Sequence, residues 1–164
     1  MPQESSQNAT KNNRRWIIAA VAVVCAIALS AGFLIQRTIP PPVNQPAMVF
    51  HGQRFTLMIA RTEADQEKGL GGIPSMPEDR GMAFPFDRPG AYGFWMKGML
   101  FPLDIIWLYK GQVIAVKTLP APIGNQAPAQ FQPIQPADVV IELNAGTAQR
   151  IGLVPGSTVT LEGI

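Results

Sequence analysis

The chain has 164 residues, a formal charge of +2 and one cysteine, which suits one domain with accessory segments. Lys11, Arg14, Arg15 and Arg37 flank a single apolar run, and from Met48 onward nine basic residues stand against ten acidic ones, so the globular part is near neutral and carries no nucleic-acid footprint. Cys25 lies in the apolar run and His51 is the only histidine, which excludes an intrachain disulfide, a thiol catalyst in the globular part and a Cys/His metal cluster.

Residues 1–15 are polar, with Ser, Gln, Asn and Lys and almost nothing to bury, and read as a disordered cytoplasmic tail. Residues 16–36 read as a transmembrane signal-anchor helix. Trp16 to Ile35 is twenty residues without a charge, which at ~1.5 Å rise per residue crosses a ~30 Å hydrocarbon core. Lys11, Arg14 and Arg15 against Arg37 alone put the N-terminus in the cytoplasm and the remainder in the periplasm or outside the cell. A cleavable export signal is the alternative, with small residues around Ala28-Leu29-Ser30, but the run is longer than a usual signal core. Residues 37–47 carry Pro40, Pro41, Pro42 and Pro46 and form a semi-rigid linker.

The domain proper is placed at residues 48–164. Phe55 to Ala60 alternates as a strand with Phe55, Leu57 and Ile59 inward. Thr62 caps a short helix with Glu63 and Asp65 in its first turn and Gly69 as its stop. Arg80 to Phe84 is a strand cut by Pro85. Tyr92 to Met96 and Leu103 to Tyr109 read as central strands, the second turning through Lys110-Gly111 into Gln112 to Lys117 as a hairpin. Leu119 to Pro136 holds five prolines and reads as a long binding loop, lid or disordered segment. Val139 to Leu143, a helical turn ending at Gly152 and a last strand at Thr158 to Leu161 complete the chain. The fold class is mainly β: a small β-sandwich or partly open barrel with one or two short helices, preceded by one transmembrane helix.

Phe94 to Leu108 is an apolar run interrupted only by the charges of Lys97 and Asp104. Glu142 interrupts a second apolar strand and Arg80 opens another. Charges in such runs are paired or functional, since burying one unpaired costs several kcal/mol. One reading is a buried ion-pair network, Lys97 with Asp104 or Glu142. The other is a site, with Arg80, Trp95, Lys97, Asp104 and Glu142 as candidate ligand-binding residues. Trp95 becomes a stacking platform for a sugar or a proline-rich peptide if it is exposed near the proline loop. The carboxylates Asp104 and Glu142 could also cleave a glycosidic bond. No metal site is expected. Met82, Met96 and Met99 are the one set whose thioethers suit Cu(I), but no histidine lies near in sequence and ordinary core filling accounts for them better. Ser75 and Ser157 lack a nucleophile-elbow setting, and no phosphate-cradling glycine loop is present.

Arg80-Gly-Met-Ala-Phe-Pro-Phe86, Phe94-Trp-Met-Lys97, Pro102-Leu-Asp-Ile105 and Ile141-Glu-Leu-Asn-Ala-Gly146, with Gly152 and Pro155-Gly156, closely resemble the bacterial and archaeal family called domain of unknown function 192. The resemblance runs from about Phe50 to Leu161. It implies a compact mainly-β domain, commonly exported or anchored, with no established activity. The family usually continues Trp-Met-Lys with Asn-Thr, where this chain has Gly98-Met99, and ends its last turn Gly-Asp, where this chain has Gly156-Ser157. The function expected is a ligand- or partner-binding module of the bacterial envelope, without a cofactor. A glycosidase-like envelope hydrolase and a structural subunit of a membrane complex are the rival readings.

Overall fold

The structure is a computed structural model and describes residues 45–164. The expected tail, the transmembrane helix and most of the linker lie outside those residues. Among the described residues no helix is long and apolar enough to cross a membrane. Nine strands and two short helices follow in chain order: β1 Ala47–Phe50, β2 Gln53–Ile59, α1 Glu63–Lys68, β3 Arg80–Gly90, β4 Phe94–Trp95, β5 Leu103–Tyr109, β6 Gln112–Leu119, β7 Gln130–Phe131, β8 Ala137–Asn144, α2 Thr147–Ile151 and β9 Thr160–Glu162.

Seven strands form one sheet in the order β6-β5-β8-β3-β2-β1-β9, antiparallel except for the β2–β3 pair. The sheet curls. Met48 of β1 and Val113 of β6 belong to one apolar cluster although four strands separate β1 from β6 in the order. The bridge between Gln112 and Thr158, with Val113 N–H donating to Ser157 C=O at 2.8 Å, brings one end of β6 to the segment that precedes β9. The result is a half-closed barrel rather than two stacked sheets.

Alternation along the strands sends side chains to two cores. Met48, Phe55, Leu57, Ile106, Leu108, Ile141 and Leu143 fill the inside of the curl, closed by Ala148 and Ile151 of α2. Met82, Phe84, Leu103, Ile105, Trp107 and Val140 form the core on the opposite face. That second face is covered by the segment after α1 and by the two-stranded β4–β7 flap. Trp107 anchors the flap: its ring meets Phe94 and Phe131 edge-on, and its indole N–H donates to the Tyr92 carbonyl at 2.8 Å.

Leu103 to Tyr109 is the central strand expected, buried along almost its whole length between β6 and β8. Lys110 and Gly111 make the expected hairpin turn with both φ angles positive, +51° and +76°, the twist that matches flanking strands. A Cβ at Gly111 would lie 3.1 Å from the Val159 carbonyl oxygen. Gly111→Ala is expected to lower stability by about 1–2 kcal/mol, read from urea denaturation.

Two strand expectations are corrected. Tyr92 to Met96 is not a central strand; only Phe94–Trp95 pairs, with β7, as the flap. Its apolar character reflects covering a core rather than crossing one. The strand at Arg80 is not cut at Pro85 but runs to Gly90. Ala83 C=O accepts from Ala60 N–H, so Pro85, two residues on, directs its missing N–H toward the same side, where β2 has already ended at Ile59. A proline is tolerated where no ladder bond is needed.

Candidate functional site

Asp104 and Glu142 sit on adjacent strands but not in one site. Asp104 is opposite Leu143, and Glu142 is opposite Ile105. Residues opposite each other share a face and neighbours along a strand do not, so the two carboxyl groups leave the sheet on opposite sides. The two-carboxylate arrangement read for a glycosidase is therefore not formed, and Asp104 is separated from the candidate site.

Asp104 has a structural role. It is buried on the inner face, where Thr118 Oγ1 donates to Oδ1 at 2.6 Å and the Ala148 backbone N–H donates to Oδ2 at 2.8 Å. Gly146, the N-cap residue of α2, offers no side-chain acceptor. The carboxylate on β5 does the work of that missing cap, satisfying an N–H in the first turn of the helix.

Glu142 is different. It is 4% exposed, and its Oε2 atom is buried without a hydrogen-bond partner. Burial raises its pKa from 4.5 to about 8, because desolvation disfavours the charged form. The carboxyl therefore carries its proton at neutral pH. It closes the floor of a narrow cleft of about 20 Å³ lined by Gly69, Leu70, Phe94, Trp95, Lys97 and Met99, with Gln66, Glu67 and Lys68 of α1 along one wall. About one water-sized group fills such a space. The cleft exists because α1 stops where it does. Thr62 accepts from the Asp65 N–H at its start, and Gly69 ends it at φ +50°. A Cβ at Gly69 would lie 3.7 Å from Glu142 Oε2 and 3.6 Å from the Phe84 ring.

Trp95 and Lys97 stand at the mouth. Trp95 is 47% exposed, and the Lys97 ammonium lies 5.0 Å from its ring centroid. Lys97 is exposed and belongs to neither ion pair found among the described residues, Arg54–Glu162 and Arg150–Glu78. The buried network of Lys97 with Asp104 or Glu142 is thus replaced by a cation–π contact at the surface. Arg80 is also exposed, at the start of β3, and does not line the cleft. Met82, Met96 and Met99 are all buried in the core that Trp107 belongs to, and only Met99 reaches the cleft.

Trp95 has a second side. Gly93, Phe94 and Trp95 on and beside β4, with Gln130, Phe131 and Gln132 on and beside β7, line an open groove of about 580 Å³. The groove has the size and the composition, aromatic surface with a few amides, of a small-molecule site. The long proline-rich segment supplies one of its walls, so Trp95 is exposed beside that segment. Gly69, Gln130 and Gln132 were not legible as site residues. Gly69 has the same signature as any helix stop, and the two glutamines sit in a stretch with no periodicity.

Two solved structures resemble this chain. A Sinorhizobium meliloti 1021 protein described as a candidate transcription regulator is 27% identical, with a TM-score of 0.63 over 73% of this chain and 93% of that one. A protein of unknown function from Novosphingobium aromaticivorans DSM 12444 is 28% identical, with a TM-score of 0.60 over 75% of this chain and 91% of that one. No curated protein matches the sequence. Residues 47–161 match the family DUF192, described as an uncharacterized ACR, and cover the whole of the sheet and flap apart from one residue of β9: the chain belongs to this family.

Proposed function

We propose that the domain is a ligand-binding module of the bacterial envelope, held at the membrane by residues 16–36 and seating a ring-bearing ligand against Trp95. One observation carries the reading: an exposed indole stands where an open aromatic–amide groove meets a narrow cleft floored by a buried carboxyl with an unpartnered oxygen. Tryptophan left half exposed at a pocket offers a flat apolar face, and the amides of Gln130 and Gln132 offer the donors and acceptors a sugar ring needs. Support for the envelope comes from the uncharged run of residues 16–35 and from the basic residues before it.

The test is calorimetric titration of the full chain in lipid nanodiscs with glucose, N-acetylglucosamine and glucuronate. At least one is expected to bind, and Trp95→Ala is expected to weaken it about tenfold. Absence of binding by all three, together with capture of one stoichiometric membrane protein, would favour a structural subunit instead.

A further inference from the structure

The cleft beneath Trp95 has a charge pattern that narrows the ligand class, given that Trp95 marks a binding site at all. The groups facing Glu142 are Gly69, Lys68, Glu67 and Gln66 from α1 and its cap, Lys97 and Met99 from the segment after β4, and Phe94 and Trp95 from β4. From the sheet itself come Met82, opposite Glu142 on β3, and Ile105, opposite it on β5. The charged groups around the cleft are thus two lysines and one glutamate, apart from Glu142. An ammonium group entering here meets both lysines. An anion meets them favourably, but a carboxylate on Glu142 would repel it. The carboxylic acid form reverses that last term, because its O–H is a donor. With burial holding the proton on Glu142, Glu67 is the one anionic side chain left against the two lysines and the Glu142 donor.

We propose that the Glu142 cleft, floored by a buried carboxyl with an unpartnered oxygen, is the carboxylate subsite of the module: a carboxylate-bearing ligand rests its ring on Trp95 and places one carboxylate oxygen between Lys97 and Lys68, against the Glu142 carboxyl group. The cleft admits about one water-sized group and no ring, so one carboxylate oxygen enters and the ring stays outside on the indole. Acid-to-carboxylate hydrogen bonds are among the short, strong, charge-assisted kind. The same geometry makes binding fall as pH rises and Glu142 loses its proton, with the midpoint near pH 8.

The experiment compares glucuronate, glucose and acetate by calorimetry on the full chain at pH 6 and pH 9.5, using wild type, Glu142→Gln and Glu142→Met. Gln keeps a neutral donor that cannot titrate, and Met keeps the volume without a donor. The expected pattern is glucuronate about tenfold or more tighter than glucose at pH 6. That preference should be lost at pH 9.5 in wild type, kept at both pH values in Glu142→Gln and reduced severalfold in Glu142→Met, where the lysines alone remain. Equal binding of glucose and glucuronate, unaltered by either variant, would overturn the carboxylate subsite and leave the Trp95 platform standing. Binding of acetate by wild type but not by Glu142→Met, with no sugar bound, would uphold the subsite and overturn the ring platform. No binding of any of the three would overturn both.

Discussion

Glu142→Met should gain stability relative to wild type as the pH rises from 4 to 9, by up to about 5 kcal/mol. The magnitude follows from a pKa raised from 4.5 to about 8 at about 1.4 kcal/mol per pH unit. The sign follows from proton counting. Between the two pKa values the folded chain keeps the Glu142 proton while the unfolded chain has released it, so unfolding releases a proton and rising pH favours unfolding. The contribution of this residue to stability is fully present below pH 4.5, lost progressively through pH 8 and constant above. Urea denaturation of both proteins at half-unit pH steps measures it. A pH-independent difference would mean that the carboxyl does not titrate anomalously and that its unpartnered atom is solvated. A site residue retained at such a cost to the fold fits a binding role better than a structural one.

Asp104→Ala should do the opposite, destabilising the domain by about 2–4 kcal/mol at neutral pH. The substitution leaves the buried Ala148 N–H without its acceptor, worth about 1–3 kcal/mol, and opens a small cavity; the Thr118 hydroxyl, on an exposed residue, turns to water instead. Asp104→Asn retains one carbonyl acceptor and should lose about half as much. The Ala148 amide gives a local readout. Its hydrogen exchange should accelerate well before that of the β5 amides as α2 frays. A loss below about 1 kcal/mol with Ala148 protection unchanged would remove Asp104 from its capping role. The contrast between the two acids, one stabilising and one destabilising, is the energetic form of their placement on opposite faces.

Much of this was legible in sequence. The Lys110-Gly111 hairpin, the Thr62 cap, the Gly69 and Gly152 helix stops and the near-complete burial of β5 follow from local turn chemistry and apolar patterning. The partners of Asp104 were not, and the reason is a single residue. Counting back from the Tyr109–Gln112 pair in strict register puts Lys117 opposite Asp104, which invites an ion pair. In the structure the register shifts between Trp107 and Leu108, and Ile114 is the extra residue. Thr118 then stands opposite Asp104 and Lys117 opposite Ile105. A bulge of this kind leaves no mark in composition, yet it decides which side chain meets a buried carboxyl. The flap was misread for a related reason: a strand that covers a core and a strand within one are equally apolar. Trp95 and Glu142 were legible as exceptions to their surroundings. Their meeting under α1 depends on the course of the segment after Gly69, which packs on the turn at Gly98 through the Gly72 N–H to Gly98 C=O bond, and no periodicity announces that.

The pairing of β1 with β9 sets the tempo of folding. Ala47 pairs with Glu162 and Val49 with Thr160, and Arg54 on β2 forms an ion pair with Glu162. The first strand of the domain to be synthesised thus gains its outer neighbour only when the last has been made. Contacts of such sequence separation make loop closure the slow step, so folding belongs on the millisecond-to-second scale of β-rich topologies. During synthesis β1 and β2 wait with an apolar edge uncovered, a state vulnerable to pairing with other chains.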